Sequence, residues 1–235
     1  MIPDKAFYAL PENIQGNHFI LDQDESKHII NVLRLKMKQG IFLLDGLGNG
    51  YQSVITDLTK FKVSGEIEKK YVNYGENKSV IKLAPAIIKR DRFEILIEKA
   101  IELGVKEIQP LILDRCVKKS LNLDRCKKII ISSAKQCRRS FFPVIKEPIN
   151  LETYLKKRNE CSIVGSQKSN IKLSKLDIKD RKSIQIIIGP EGDFSKREYD
   201  LMQDHDIQFF NLGQRRLRSE TANLATLSIL NEFME

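Results

Sequence analysis

Two short stretches of the sequence carry residue types that could build a binding or catalytic site. IIIGPEGDFSKRE, at positions 186–198, runs from three isoleucines through a glycine loop into charged residues. LGQRRLRSETA, at 212–222, places arginines directly before a predicted helix, and CSIVGSQKS, at 161–169, is a third strand that runs into a glycine-bearing loop. Gly165, Gly189 and Gly213 allow a backbone to approach a ligand closely, although a single glycine also simply turns a chain. We expect the three loops together to form one pocket.

The residue spacing argues against a phosphate-binding loop. Gly189 and Gly192 are three positions apart, and neither G-x-x-x-x-G-K-[ST] nor G-x-G-x-x-G is present. Glu191 would repel a phosphate, and Pro190 lacks the N–H that an anion-binding backbone nest uses. We therefore expect a ligand with a cationic or a neutral, adenine-like part, held by backbone groups.

The second half of the 186–198 stretch has the pattern of a helix start. Ser195 and Glu198 have capping-box spacing, and Phe194 and Tyr199 occupy the positions of a hydrophobic staple. These four residues are explained by the helix alone and need no functional role.

The arginines of the 212–222 stretch allow two interpretations. Arg215, Arg216 and Arg218 beside a pocket could hold RNA phosphates or stabilise a developing oxyanion. Alternatively, Arg218 simply pairs with Glu220 or Glu191.

Other catalytic and metal-binding patterns are weak. The histidines lack metal-ligand spacing, and the cysteines form no C-x-x-C pair, which predicts reduced thiols and no metal. The S-x-x-K pairs Ser132/Lys135 and Ser169/Lys172 are expected by chance in a chain rich in lysine.

The elements that must position the three loops change character along the chain. The first seventy or so residues read as short β-strands with one helix within 26–40, whereas from about Ser79 apolar strands alternate with amphipathic helices. One of these helices, DRFEILIEKAIELG, has Asp91 as a candidate N-cap and Gly104 as a candidate C-cap. Strands apolar along their whole length predict an α/β fold with a parallel sheet covered on both faces. Ligands bind outside the carboxyl ends of such strands, where the three loops lie.

Composition and charge favour a polyanionic partner. Lys and Arg number 40 against 31 Asp and Glu, a formal net charge of +9, which suggests nucleic acid first and a membrane surface second. No apolar run approaches the length of a membrane-spanning helix, and the start lacks the pattern of a signal peptide. We therefore expect a cytoplasmic protein.

Five motifs in order give the chain a family resemblance. IGPEGDFSKRE and LGQRRLRSETA resemble the two signature loops of the bacterial ribosomal RNA small subunit methyltransferase E family, the 16S rRNA uridine-N3 methyltransferases of the SPOUT superfamily. HIINVLRLK at 28–36, KRDRFEILIEKAIELGV at 89–105 and AKQCRRSFFP at 134–143 resemble further motifs of that family. The resemblance covers the whole chain.

The resemblance implies a two-domain architecture. It implies an N-terminal PUA-like β-barrel over residues 1–74 and a SPOUT α/β methyltransferase domain with a C-terminal trefoil knot over residues 75–235. It also implies a homodimer that acts on 16S rRNA of the small ribosomal subunit.

The same resemblance implies the cofactor and the residues of the site. S-adenosylmethionine would lie against Val164, Gly165, Ile188, Gly189, Pro190, Glu191, Gly192, Leu212, Gly213 and Leu217. Arg218 would stabilise negative charge on the uracil oxygens, and Glu220 or a water molecule would accept the N3 proton. RNA would be bound by Arg34, Lys89, Arg90, Arg92, Arg138, Arg139 and Arg215.

Two positions depart from the family pattern. Asp193 stands where the family usually has a second glycine, and Arg216 stands where it has an apolar residue. We expect Asp193 to narrow the backbone conformations of its loop and Arg216 to contact RNA or solvent. Two rival hypotheses are a non-catalytic RNA-binding module, which leaves the glycine loops unused, and a nucleotide-dependent α/β enzyme, which lacks its phosphate motif.

Overall fold

The computed structural model describes residues 2–158, 160–178, 181–205 and 207–234. They form two compact units, one of Met1–Glu76 with Ile131–Phe142 and the other of Asn77–Ile130 with Pro143–Glu235. The first unit thus includes a segment from the middle of the chain. The composition of the sequence does not change at the ends of this segment, so the sequence alone does not indicate it.

The strands are β1 (Ala6–Tyr8), β2 (Ile14–Gln15), β3 (His18–Ile20), β4 (Gly40–Leu44), β5 (Asn49–Leu58), β6 (Val63–Val72), β7 (Val80–Pro85), β8 (Glu107–Ile108), β9 (Leu111–Ile112), β10 (Val144–Ile145), β11 (Ile149–Asn150), β12 (Cys161–Gly165), β13 (Ser183–Ile188) and β14 (Gln208–Phe210). The α-helices are α1 (Gln23–Lys27), α2 (Arg90–Glu102), α3 (Leu123–Cys137), α4 (Leu151–Lys157), α5 (Lys196–Asp204) and α6 (Ser219–Met234). None of the helices in the described ranges is long and apolar enough to cross a membrane.

The first unit is built on one mixed sheet. Its strand order within the described residues is β1-β4-β5-β6-β3-β2, with β1 and β4 parallel and the other neighbours antiparallel. Phe7, Phe19, Ile41 and Leu43 are buried in its core. The helix predicted within 26–40 is shorter than expected: α1 continues into a π-helical turn over His28–Leu33, which stops where Arg34 adopts a left-handed φ of 52°.

The second unit is built on a parallel sheet, as its apolar strands predict. The strand order in the described ranges is β10-β8-β7-β13-β12-β14, and every neighbouring pair is parallel. Helix α6 packs on α2, β7 and β13, and α4 packs on α5. Ala84, Val164, Ile187 and Met202 belong to the core of this unit.

Two local predictions need correction. Helix α2 begins one residue before Asp91, with Lys89 at the N-cap and no side-chain hydrogen bond there, so Asp91 lies in the first turn. Leu103 is the C-cap, and Gly104 follows it with a left-handed φ of 86°. Strands β8 and β9 are separated by Gln109 and Pro110, and the proline has no N–H for the sheet.

Candidate functional site

Three neighbouring strands bring the glycine-bearing loops to the same edge of the sheet. Gly165 at the end of β12 pairs with Ile188 at the end of β13 and with Phe210 at the end of β14. All three strands are parallel, so the chain leaves each of them at the same edge of the sheet. The convergence expected from the sequence is confirmed.

The three loops enclose a cavity of about 440 Å³. Of the residues expected from the sequence, nine line it: Gly165, Ile188, Gly189, Pro190, Glu191, Leu212, Gly213, Arg215 and Leu217. The remaining lining residues are Ser166, Gln167, Lys168, Asp193, Phe210, Asn211, Arg216, Ser219 and Ala222. The lining therefore combines apolar residues with five charged side chains, those of Lys168, Glu191, Asp193, Arg215 and Arg216.

Four of the expected cofactor-binding and catalytic residues lie outside this lining. Val164 is fully buried in the core, and Gly192 is exposed, with its carbonyl oxygen accepting a hydrogen bond from Arg115 Nη1 at 2.6 Å. Arg218 and Glu220 directly follow the lining residues Leu217 and Ser219 in the chain.

Two glycines lie close to side chains of the cavity wall. A Cβ at Gly165 would lie 2.5 Å from Ile188 Cδ1, and one at Gly189 would lie 3.1 Å from the Phe194 ring. Any larger residue would push these side chains out of place. These glycines therefore keep the wall of the cavity in position.

The Gly189–Gly192 loop is held by side chains from distant parts of the sequence. Arg216 Nη2 donates to Glu191 O at 2.6 Å, and Ser219 Oγ donates to the Gly189 carbonyl oxygen at 2.8 Å. The Arg216 contact joins the loop after β14 to the loop after β13. Sequence reasoning missed the roles of Ser219 and Arg115, because no local pattern relates either residue to this loop.

Glu191 and Glu220, two acidic residues near the cavity, are paired with Arg92. Arg92 Nη1 donates to Glu191 Oε1 at 3.0 Å, and Arg92 Nε lies 3.8 Å from Glu220 Oε1. Glu220 is 13% exposed at its side chain, and its Oε2 has no hydrogen-bond partner among the described residues. Arg218 is exposed and forms no ion pair within the described ranges. The structure therefore contradicts the interpretation that Arg218 pairs with Glu220 or Glu191.

A hydrogen-bonded cluster borders the cavity beside the Gly189–Gly192 loop. The Tyr199 hydroxyl lies 2.6 Å from Ser166 Oγ and 2.9 Å from Asp193 Oδ1. Burial, more than the Asp193 carboxylate, raises the pKa of Tyr199 to about 12. Asp193 has a left-handed φ of 64°, which Asp tolerates better than most residues. The sequence indicated Ser166 and Lys168 only through their position in the SQKS segment, which follows Gly165 in one of the three predicted loops.

The helix start of α5 is confirmed. Ser195 Oγ accepts from Glu198 N at 3.2 Å, and Ser195 N donates to Glu198 Oε2 at 2.7 Å, which closes the capping box. The Phe194 and Tyr199 rings meet edge to face with centroids 5.5 Å apart.

The expected RNA-binding residues differ in accessibility. Arg34, Lys89, Arg90 and Arg215 are exposed, Arg92 is half-buried, and Arg90 Nε also donates to Glu94 Oε1 at 2.8 Å. Arg138 is half-buried, and its Nη2 donates to Asp4 Oδ1 at 3.0 Å.

Arg139 occupies a different environment. Its side chain and that of Glu76 are each 3% exposed and pair at 2.9 Å. A buried guanidinium that is already paired cannot reach a phosphate, so the structure gives Arg139 a role in the core of its unit.

The weaker patterns take structural positions. Lys135 pairs with Glu25, and Ser169 Oγ donates to Phe209 O at 2.8 Å. The four cysteines are free thiols, and burial raises the pKa of Cys116 and Cys126. Among the residues that the structure describes, no group of three or more His, Cys, Asp or Glu could hold a metal ion.

Fold and cavity together define an α/β protein with a cavity at the carboxyl ends of its parallel sheet. Comparison with known proteins identifies its family. The family model for an RNA methyltransferase domain matches residues 75–231, and that for an RNA methyltransferase PUA domain matches residues 21–68. A Rickettsia conorii protein named ribosomal RNA small subunit methyltransferase E is 33% identical over 213 residues, covering 88% of this chain and 87% of the relative. A Buchnera aphidicola protein of the same name is 30% identical over 230 residues, covering 94% and 90%.

Solved structures agree with these relatives. Ribosomal RNA small subunit methyltransferase E from Neisseria gonorrhoeae, bound to S-adenosyl methionine, has a TM-score of 0.90 and 30% identity, with 98% of each chain covered. A Legionella pneumophila structure in complex with the bound cofactor SAM has a TM-score of 0.88 and 28% identity, again with 98% of each chain covered. The chain belongs to the ribosomal RNA small subunit methyltransferase E family. The predicted PUA-like and α/β methyltransferase domains are thereby confirmed.

Proposed function

We propose that this protein methylates N3 of a uridine in 16S ribosomal RNA of the small ribosomal subunit, with S-adenosylmethionine as the methyl donor. One observation carries the proposal: the three loops at the carboxyl ends of β12, β13 and β14 line a single cavity. The S-adenosylmethionine bound by two solved relatives supports the same cofactor here.

The residues of the cavity fit this cofactor. Ile188, Leu212 and Leu217 provide apolar surface for an adenine ring, and Gly165 and Gly189 keep the backbone close to it. The Asp193 carboxylate suits a ligand that carries positive charge, and the loop lacks a phosphate motif.

Arg218 and Glu220 are the proposed catalytic residues. When bound, S-adenosylmethionine supplies a methyl group activated by its sulfonium. Uracil N3 must lose its proton before or during its attack, and the Arg218 guanidinium would stabilise the negative charge that spreads over the uracil oxygens. Glu220 Oε2, which lacks a hydrogen-bond partner among the described residues, or a water molecule would accept the proton. The Arg92 contact orients Glu220 through its other oxygen.

RNA binding would use the exposed cations. Lys89, Arg90 and Arg215 in the second unit and Arg34 in the first are exposed and carry the charge that phosphates require. The net charge of +9 supports a polyanionic substrate.

The proposal also includes a C-terminal trefoil knot, a homodimer and a cytoplasmic location. The return of the chain from β14, at the end of the described sheet order, to pack α6 on β7 and β13 is compatible with such a knot. Light scattering of the purified protein at micromolar concentration tests the dimer, since a monomer mass would contradict it.

The decisive experiment is methylation of ribosomal RNA by the purified protein. Small-subunit RNA from a strain without the enzyme should gain N3-methyluridine at one site by mass mapping. An Arg218→Ala variant should lose about 10²- to 10³-fold in turnover, because the charge-stabilising donor is gone, with little change in cofactor Kd. Arg181→Ala is the matched control, since Arg181 is exposed and lies outside the cavity-lining loops.

Two results would contradict the proposal. Unchanged turnover in Arg218→Ala would remove that residue from the reaction. Thermal stabilisation by ATP or NAD instead of S-adenosylmethionine would assign the cavity to another ligand.

A further inference from the structure

A directional chain of hydrogen bonds ends on a carboxylate in the cavity wall. Lys168 N donates to Ser166 Oγ at 3.1 Å, and Ser166 Oγ lies 2.6 Å from the Tyr199 hydroxyl. That hydroxyl donates to both carboxylate oxygens of Asp193, at 2.9 and 3.0 Å. Because an ionised carboxylate only accepts, the phenol proton points to Asp193 and the Ser166 proton points to Tyr199.

A positive charge lies over the ring of the same tyrosine. Lys168 Nζ is 3.9 Å from the centroid of the Tyr199 ring. Lys168 and Asp193 both line the cavity, from the loops after β12 and β13. These two residues, both within the described ranges, form no ion pair with each other. The cavity lining therefore contains an anion that accepts from the Tyr199 hydroxyl and a cation that lies over the ring of the same tyrosine.

The hydrogen bonds that Asp193 accepts do not require its negative charge. A neutral phenol requires only an acceptor, which an amide oxygen would also provide. In addition, φ of 64° at this residue is a conformation that glycine adopts more readily, so the side chain is present despite a backbone cost. The carboxylate lines the cavity despite this backbone cost, and its hydrogen bond from Tyr199 does not require its charge. We infer that it contacts a charged group of the ligand.

Resting on the proposed function, we propose that Asp193 and Lys168 form a subsite for the amino-acid end of the cofactor, in which Asp193 binds the ammonium and Lys168 binds the carboxylate. An amino acid is a zwitterion, and its two charges match the two side chains in sign. RNA phosphate does not fit this subsite, because Asp193 would repel it.

Calorimetric binding of three ligands tests the subsite. S-adenosylmethionine and S-adenosylhomocysteine both carry the amino acid, whereas 5′-methylthioadenosine keeps the adenosine and the sulfur but lacks it. Asp193→Asn and Lys168→Met should each weaken the first two ligands roughly tenfold, the size of one charge-assisted hydrogen bond, and change the third by less than about twofold. Asp200→Asn, an exposed carboxylate on α5, is the matched control and should change none of the three.

Asp193→Asn is chosen because it should fold normally. Asn tolerates a left-handed backbone, and its amide oxygen can still accept from Tyr199. Its melting temperature should therefore stay close to that of the wild type, so that a change in Kd reports the lost charge.

Three results would overturn the subsite. Unchanged Kd values in Asp193→Asn would show that the carboxylate does not bind the ligand. An equal loss for 5′-methylthioadenosine would show that it only shapes the loop, and a loss for S-adenosylmethionine alone would assign it to the sulfonium. If the wild type binds none of the three ligands, the proposed function itself fails.

Discussion

The hydrogen bond from Ser219 to the Gly189 carbonyl can be removed by a single substitution, and the effect of its loss on the cavity can be measured. Ser219 is the first residue of α6, only 4% exposed, and its Oγ lies 2.8 Å from the buried Gly189 carbonyl oxygen. Ser219→Ala removes the donor without adding bulk. The Gly189 carbonyl then loses this partner, and its loop loses its link to α6.

The expected cost follows from the burial of the carbonyl. A typical hydrogen bond contributes about 0.5–1.5 kcal/mol net, and a buried acceptor left unpaired costs about 1–3 kcal/mol. Because Gly189 borders a cavity that water can enter, we expect about 1–1.5 kcal/mol. In a protein of this size that corresponds to a fall in Tm of about 2–6 °C. The same free energy, if it is needed to hold the loop for binding, weakens S-adenosylmethionine about five- to tenfold.

Scanning calorimetry and isothermal titration with S-adenosylmethionine measure the two effects. Ser228→Ala is the matched control, because Ser228 is an exposed serine of the same helix and its loss should stay within about 0.5 kcal/mol. If Ser219→Ala matches Ser228→Ala in both Tm and Kd, the hydrogen bond does not hold the loop and the reasoning is refuted.

Three further predictions concern other parts of the chain. Arg139→Met should cost about 3–5 kcal/mol in urea unfolding, because it removes the guanidinium that balances the charge of the 3%-exposed Glu76 carboxylate. Arg138→Met, whose partner Asp4 is exposed, should cost less than about 1 kcal/mol, and similar losses in both would contradict the buried pair. Burial raises the pKa of Tyr199 to about 12, so its contribution to stability is complete below about pH 10 and lost as pH rises through 12. Because the pKa of Tyr51 is also raised to about 12, absorbance at alkaline pH should lose only part of this late phase in Tyr199→Phe, and an undiminished phase would contradict the raised pKa of Tyr199. Lys89→Met and Arg215→Met should each lower the slope of log K for RNA against log salt by about one, measured by filter binding, and an unchanged slope would exclude that residue from the phosphate contacts.

The parts of the site that sequence could predict are those encoded within a few residues. The capping box of Ser195 and Glu198 depends on a spacing of three, and the apolar run that ends at Gly189 identifies a buried parallel strand. Because parallel strands end at one edge, the convergence of the loops follows from these local patterns.

The parts that sequence could not predict depend on contacts between distant positions. Arg139 and Arg138 are neighbours of identical type, yet one is buried against Glu76 and the other is half-buried against Asp4. Arg115 reaches Gly192 across 77 positions, and Arg92 reaches Glu191 across 99. Charge alone does not indicate which arginine faces solvent, because that depends on which carboxylate the fold places beside it.

In the 186–198 stretch, the residues that begin helix α5 also contact the cavity wall, so the helix start alone does not explain them. Phe194 and Tyr199 form the predicted staple, but the Phe194 ring also packs against Gly189 in the cavity wall. Tyr199 also donates to Asp193 from the first turn of α5. The capping box that fixes this turn therefore fixes the cavity wall as well, since a shift of the helix start would move both rings. The residues that begin the helix and those that border the cavity therefore pack against one another.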